Sequence, residues 1–304
     1  MSGFLWTHKN KKENKIGDKM KKINIPINKG STKVSTVFNL YKQTGDRDLV
    51  VKYTNEQVYT KDDLISLYDI YNIGIINGQD EALLSAIIEN RDIKSDMATI
   101  FDCSPDEITD SQDELLANPD KYVVLLGDLS IIIPKYENYD ITFSKLKYIR
   151  GHMQYTGTSV ENIFPNLCAI SKNADLFYLK SAKGLEELHS VGSSITCFHI
   201  EDATGLENLE IIGGNAGFNA LIDASMLKKL KYIMGSTNFY SLVSSTGLET
   251  LEHIGGDLYC PKLIDPSGFK SLEHIGGKIT INLEPNDIEK VKNKVRLKSY
   301  IKTL

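Results

Sequence analysis

The sequence predicts an α+β protein, a right-handed parallel β-solenoid of 21-residue coils with a helical capping domain before it and a helix after it. A leucine recurs every 21 residues through 141–283. The seven anchor leucines are Leu146, Leu167, Leu188, Leu209, Leu230, Leu251 and Leu272. An apolar residue lies three positions before and three positions after each anchor, and a glycine usually follows within two further positions. A fixed period of about 20–29 residues is typical of solenoids, whose coils stack on their neighbours.

The composition divides the chain into four predicted segments. Residues 1–30 are a basic flexible tail, 31–120 a helical capping domain, 121–284 the solenoid and 285–304 a C-terminal capping helix. A cap is expected because an open solenoid end exposes core and strand edge.

The tail differs from the body in charge. It carries eight lysines against Glu13 and Asp18, a net charge of +6, so the rest of the chain carries −11 of the total of −5. Its tip, Phe4, Leu5 and Trp6, contains the only tryptophan. An apolar tip followed by cations predicts a docking arm for a groove with an acidic rim, or weak adsorption to an anionic surface. The alternative is a solvated tail without a partner.

Helical spacing dominates the predicted capping domain. Thr60 with Asp63 has the spacing of a capping box, and Ser104 followed by Pro105 predicts the start of a helix through Asn118. Residues 96–108 have the spacing of a helix-turn-helix. However, no basic residue lies between 101 and 119, and phosphate binding needs Lys and Arg, so nucleic acid is not an expected partner.

Each coil shows the alternation of one half-buried strand. Positions seven and nine after the anchor are apolar and their neighbours are polar, as with Leu258 and Cys260 against Asp257 and Tyr259. A turn with a Thr–Glu pair follows in two coils, at Thr204 with Glu207 and at Thr246 with Glu249, and predicts a short helix or helical turn on the back of the coil.

The unit Gly-Leu-Glu-x-Leu-Glu-x-Ile-Gly-Gly, at 205–214, 247–256 and nearly at 268–277, resembles the leucine-rich-repeat superfamily. The similarity is greatest to receptor L-domain-like repeats of bacterial and phage repeat proteins and covers residues 122–283. Common leucine-rich repeats keep an asparagine ladder after the strand. The equivalent column here is Leu or Ile, which favours the L-domain type. The resemblance implies a binding scaffold and names no ligand.

The outward strand face is the predicted binding surface because it is unusually aromatic. Positions eight and ten after the anchor form columns with a spacing of about 4.8 Å between coils. The candidate partner-binding residues are Asp175, Phe177, Phe198, Asn219, Asn238, Tyr240 and Tyr259. Aromatic surfaces of this kind are typical of protein interfaces. The alternative is that the capping domain or a second copy covers them.

No enzyme, cofactor or metal site is predicted. The sequence lacks a phosphate loop, a Gly-x-Ser-x-Gly elbow and a His-Glu-x-x-His motif. His253 and His274 share a column, yet no third metal ligand accompanies them. The expected function is a non-enzymatic protein–protein interaction scaffold. The alternatives are an assembly component of a phage particle or host-interaction complex, which would allow an oligomer, and a carbohydrate-binding module.

A cytoplasmic location is expected, with virion association as the alternative. No apolar run is long enough to span a bilayer, and the start lacks the pattern of a secretory signal. The four cysteines form no Cys-x-x-Cys pair and are expected to be free thiols. The abundance of Lys, Asn and Ile suggests a bacterial or phage source with an AT-rich genome.

Overall fold

The computed structural model describes residues 58–70, 87–133 and 141–282, and the backbone of residues 296–297 and 301–303. Three α-helices lie within these residues: α1 (Lys61–Leu67), α2 (Ile93–Phe101) and α3 (Gln112–Ala117). The strands, in chain order, are β1 (Ile108–Thr109), β2 (Val124–Leu125), β3 (Leu129–Ile131), β4 (Tyr148–Ile149), β5 (Met153–Tyr155), β6 (Ala169–Ile170), β7 (Ala174–Asp175), β8 (Ser190–Val191), β9 (Ile195–Thr196), β10 (Ile211–Ile212), β11 (Ala216–Gly217), β12 (Tyr232–Ile233), β13 (Thr237–Asn238), β14 (His253–Ile254), β15 (Leu258–Cys260), β16 (His274–Ile275), β17 (Ile279–Ile281), β18 (Arg296–Leu297) and β19 (Ile301–Thr303).

The strands form two parallel sheets, as expected for a β-solenoid. Sheet A contains β1 and all even-numbered strands, and sheet B contains the odd-numbered strands from β3 to β19. Partners in consecutive regular coils are 21 residues apart, as in Ile211 with Tyr232 and Ala216 with Thr237. The predicted parallel solenoid of about seven 21-residue coils is therefore confirmed.

The anchor leucines fill the interior of the solenoid. All seven are buried, as are the apolar residues three positions before and after them. The interior also contains stacked phenylalanines, with ring centroids 5.2 Å apart for Phe143 and Phe164 and 5.7 Å apart for Phe218 and Phe239. Each coil thus packs its apolar residues on those of the next coil, which explains why the period is so regular.

Sheet A was not anticipated by the sequence analysis, which assigned one strand to each coil. Its strands occupy positions two and three after the anchor, and the sheet B strands begin at position seven. All ten strands of sheet A have only two residues, which is too short for an alternating pattern to be visible.

A ladder of side chains joins the coils at the corner between the two sheets. At position six after the anchor, a side-chain acceptor receives the backbone N–H of the equivalent residue in the next coil. The rungs, in order, are Asp128, His152, Asn173, Ser194, Asn215, Ser236, Asp257 and Lys278. Lys278 has no acceptor atom, so the ladder ends there. A polar ladder therefore exists, but it lies at position six and not in the column of Leu and Ile that corresponds to an asparagine ladder.

The turns on the back of the coils differ from the predicted helical turns. Among the described coils, only Ser267–Ser271 forms a 3-10 helix. In another coil, Asp202 accepts the N–H of Thr204 at 2.9 Å, and Glu207 accepts the N–H of Gly205 at 2.8 Å. Gly205 has a φ of 99°, and a Cβ there would lie 2.0 Å from the carbonyl oxygen of Ala182. The turn thus requires glycine for both its dihedral angle and its closeness to the preceding coil.

Two compact units are distinguished, the first with residues 58–63 and 87–91, the second with 64–70 and the described residues from 92 onward. In the first unit the predicted capping box at Thr60 is present. The N–H of Thr60 donates to Asp63 at 2.8 Å, and the N–H of Asp63 donates to Thr60 Oγ1 at 3.2 Å.

In the second unit, the predicted helix from Pro105 through Asn118 is wrong in part. Pro105–Glu107 forms one 3-10 turn, β1 follows, and α3 begins only at Gln112. Ile108 and Thr109 are β-branched and pair with β2 as an edge strand of sheet A, which outweighs helix propensity. The second helix of a helix-turn-helix is therefore not formed at Ile108.

The described residues within 285–304 are strands where a C-terminal helix was expected. Residues 296–297 pair with β16, and residues 301–303 pair with β17, so both sheets continue by one more strand. The last regular coil offers unpaired backbone groups on both sheets, and pairing satisfies them. The other residues of this segment, like those of the predicted tail, lie outside the described residues.

Candidate partner-binding face

The outward face of sheet B carries the predicted binding residues in two columns. The strand pairing aligns Asp175, Thr196, Gly217, Asn238 and Tyr259 in one column. Residues two positions further along each coil form the second column, which contains Phe177, Phe198, Asn219 and Tyr240. Each inward neighbour, such as Leu176 or Phe239, is fully buried. The alternation of a strand thus places these residues on one surface.

An aromatic cluster lies at the N-terminal end of this face. The rings of Phe177 and Phe198 are 5.1 Å apart at an angle of 63°, and each is 37% exposed. Tyr178 stacks on His199 with centroids 5.7 Å apart, and His199 Nδ1 lies 2.9 Å from the carbonyl oxygen of Phe177. The four rings support one another and hold a large apolar surface toward solvent.

A second cluster lies on the C-terminal coils. The rings of Tyr240 and Tyr259 are 6.2 Å apart and nearly parallel, and they are 45% and 36% exposed. The ammonium nitrogen of Lys262 lies 4.7 Å from the centroid of Tyr240, which is a cation–π contact. This part of the face already contains a positive charge next to an aromatic ring.

Polar residues separate the two clusters. Gly217 leaves room for the ring of Phe198, because a Cβ at Gly217 would lie 2.4 Å from that ring. Asn219 and Asn238 follow on the same face. Their side-chain oxygens are buried, and neither has a hydrogen-bond partner among the described residues.

All seven predicted partner-binding residues therefore share one face. The predicted docking arm, Phe4, Leu5 and Trp6, lies outside the described residues, so it stays a prediction. Sequence reasoning overlooked Tyr178, His199 and Lys262, which are at position eleven. In these three coils, position eleven is aromatic or cationic, and this is the feature of the sequence that identifies it. The alternation of the strand alone does not place position eleven on the outward face.

Within the second unit, residues that precede the coils cover part of sheet A. Phe101 of α2 stacks on Tyr148 of sheet A with centroids 5.4 Å apart, and Ser190 Oγ donates to the carbonyl oxygen of Ile70 at 3.5 Å. Tyr148 and Ser190 are each 1% exposed although they point outward from the coils. These described residues therefore pack against sheet A.

An aliphatic stripe of three residues lies on consecutive coils beside the aromatic face. Ile222, Val243 and Ile264 occupy position thirteen and are 57%, 38% and 72% exposed. In earlier coils the same column contains Lys180 and Glu201, whose charged atoms are 3.5 Å apart. The column therefore changes from charged to apolar along the solenoid.

The stacked histidines lie on sheet A. The rings of His253 and His274 are 4.4 Å apart and nearly parallel. Burial and the neighbouring His274 lower the pKa of His253. No group of three or more metal-ligating side chains occurs in the part of the chain that the structure describes.

Two of the four thiols are buried apolar groups. All four cysteines are free, and Cys197 and Cys260 are fully buried. Burial raises the pKa of both thiols, and it raises the pKa of Cys168 to about 11. These thiols therefore lack the lowered pKa of a cysteine nucleophile.

Comparisons of the chain with protein families, with characterised proteins and with solved structures found no match. Among the described residues, no helix combines the length and the apolar character needed to cross a bilayer.

Proposed function

We propose that this protein is a non-enzymatic interaction scaffold that binds a protein partner on the outward face of sheet B. The observation that supports this proposal is the pair of exposed aromatic clusters, Phe177 with Phe198 and Tyr240 with Tyr259, on adjacent columns of a rigid sheet. Interfaces are enriched in aromatic residues, and a few such residues usually supply most of the binding energy. The proposal includes the assignment of the solenoid to the leucine-rich-repeat, L-domain-like type.

The rigidity of the scaffold supports the same function. Parallel pairing in two sheets and the ladder at the corner hold the coils at a fixed spacing of about 4.8 Å. The aromatic rings therefore lose little further freedom when a partner binds. Preorganisation of this kind increases affinity because less conformational entropy is lost on association.

The test is affinity purification from cell extract, followed by binding of the purified partner to variants. Phe198→Ser with Tyr240→Ser should reduce affinity by at least about a hundredfold, as expected for two interface anchors of about 2 kcal/mol each. The melting temperature should stay close to that of the wild type, since both rings are outside the core.

The matched control is Ile222→Ser with Ile264→Ser, which removes exposed apolar surface from a different column. This control should keep wild-type affinity. Equal binding by the Phe198/Tyr240 variant and the wild type would contradict the proposal.

The aliphatic stripe supports a second candidate function, an assembly component that associates with its own copies. Ile222, Val243 and Ile264 are exposed on three consecutive coils, and contiguous exposed apolar surface is typical of association sites. Light scattering coupled to size exclusion separates the two candidates. An oligomer that dissociates in the Ile222/Ile264 variant would support assembly, whereas a monomeric wild type would exclude it.

A further inference from the structure

The middle of the aromatic face contains two polar groups that lack partners. The side-chain oxygens of Asn219 and Asn238 are both buried without a hydrogen bond. Leaving a buried acceptor without a hydrogen bond is costly, so such groups are rare in folded proteins and call for an explanation. Two of them on adjacent coils, at the boundary between two aromatic clusters, suggest a shared ligand.

The surroundings of the two amides form a narrow polar site between rings. Within its column, Asn219 lies one coil after Phe198 and one coil before Tyr240. Asn238 lies between Gly217 and Tyr259 in the other column. Consecutive coils are about 4.8 Å apart, so Phe198 and Tyr240 lie on either side of Asn219. One planar side chain of a partner can therefore contact the aromatic rings and the amides together. Gly217 leaves the space that the ring of Phe198 occupies, so this ring lies against the column of Asn238.

The chemistry of the site selects the ligand group. Amide oxygens need a hydrogen-bond donor, and aromatic faces attract cations. The ammonium of Lys262 over Tyr240 is an example of that attraction within the same face. A guanidinium satisfies both demands, because it is planar, presents five N–H donors, stacks on rings and is more weakly hydrated than an ammonium. A carboxylate offers no donor, and a hydroxyl offers no charge.

Charge favours the same group. Asp175 is on the same face, in the column of Asn238, and the chain from residue 31 onward carries a net charge of −11. The net charge of the body therefore attracts a positively charged partner at long range, while Lys262 adds a positive charge beside Tyr240.

We propose that Asn219 and Asn238 receive an arginine side chain of the partner, which inserts between Phe198 and Tyr240. This inference rests on the proposed function and adds the chemistry of the partner. Each amide can rotate toward the guanidinium, because its buried oxygen has no hydrogen bond to lose. The bound arginine replaces two unsatisfied acceptors by charge-assisted hydrogen bonds, which are about twice as strong as neutral ones.

The experiment uses the full-length chain labelled with ¹⁵N and the probe N-acetyl-arginine N-methylamide. The probe is titrated to saturation while the side-chain NH₂ signals of Asn219 and Asn238 are followed by NMR. The matched probe contains citrulline, which keeps the planar donors but lacks the charge. We expect saturable shifts of both signals with the arginine probe, at least about tenfold tighter binding than the citrulline probe, and no shift of the exposed Asn282 in the same column.

Two substitutions separate the arginine proposal from neutral ligands. Asn219→Ala should weaken binding of the arginine probe by about tenfold, since it removes one charge-assisted hydrogen bond. Asn219→Asp should strengthen it, because a carboxylate keeps the acceptor and adds a negative charge. Asn282→Ala is the control and should leave the affinity unchanged.

The proposal is wrong if citrulline or lysine probes bind as tightly as arginine, or if Asn219→Asp weakens binding. It is also wrong if a glycan binds this face and the arginine probe does not. These results leave the interaction scaffold standing as long as the Phe198/Tyr240 variant loses its protein partner. Retention of the partner by that variant would instead refute the scaffold proposal itself.

Discussion

Asn215 Oδ1 accepts the backbone N–H of Ser236 at 2.8 Å, and Ser236 Oγ in turn accepts the backbone N–H of Asp257 at 2.9 Å. Each rung thus satisfies a backbone donor in the corner, where neither sheet supplies a carbonyl oxygen for it. Gly235 makes this contact possible, because a Cβ there would lie 2.4 Å from Asn215 Oδ1. The ladder therefore couples consecutive coils independently of the core.

Removing one rung should lower the free energy of unfolding. Asn215→Ala removes the acceptor for the N–H of Ser236 and should cost about 0.5–1.5 kcal/mol, since the position is exposed and water replaces part of the bond. Asn215→Asp is the matched control, because Asp257 performs the same role two coils later. Urea unfolding of both variants checks this. Equal stability of the Ala variant and the wild type would show that the rung contributes nothing.

Two neighbouring aromatic residues test which side of sheet B faces the interior. Phe239 is fully buried and stacks on Phe218, whereas Tyr240 is 45% exposed. Phe239→Ala should destabilise the protein by about 3–5 kcal/mol because it leaves a cavity. Tyr240→Ala should change stability by less than about 1 kcal/mol. Thermal or chemical unfolding measures both values, and comparable losses in the two variants would contradict the assigned orientation.

The sequence alone predicted the parts of the fold that depend on whether a side chain is apolar or polar. Leu146 and its six equivalents predicted the period and the core, and the alternation around Leu258 predicted the strands of sheet B and its outward residues. Those features arise from burial, which leaves an apolar pattern in the sequence.

Two kinds of feature could not be predicted from the sequence. One depends on backbone pairing, and the other on different residue types that share the same hydrogen-bonding role. The ladder uses Asp, His, Asn and Ser at successive rungs, which share only an acceptor atom, so no repeated letter marks the column. Ile108 and Thr109 form a strand because β2 offers a pairing partner, a tertiary effect that overrides local helical spacing. The unpartnered oxygens of Asn219 and Asn238 emerge only when the strands are aligned.

The buried thiols should be unreactive in the folded protein. Cys197 and Cys260 are inaccessible, and burial raises the pKa of each thiol, which lowers the fraction of reactive thiolate. With a thiol reagent at mildly alkaline pH, these two cysteines should react only after denaturation, while Cys103 and Cys168 react earlier because both are partly exposed. Mass spectrometry of labelled peptides identifies the reacted residues. Rapid labelling of Cys260 in the native protein would show that the end of the solenoid opens.

The histidine pair should make stability depend on pH. His253 faces His274 in its column, and Glu252 next to it accepts a hydrogen bond from the hydroxyl of Tyr232 at 2.8 Å. Burial and His274 lower the pKa of His253 in the folded state, so the unfolded chain binds this proton more readily. His253 therefore contributes no pH dependence above the unfolded value of about 6.5, and stability is lost as the pH falls from there through the lowered folded-state pKa of His253.

The measurement is the unfolding free energy in urea at about pH 7.5 and about pH 5, on either side of the unfolded pKa of histidine. The wild type should lose more stability between these conditions than His253→Gln, which keeps a side chain of similar polarity without the titration. The comparison between the two proteins removes the contribution of acidic residues that titrate in both. A larger loss in the Gln variant would mean that the folded state favours the imidazolium, as it would if Glu252 attracted the proton more strongly than burial and His274 oppose it.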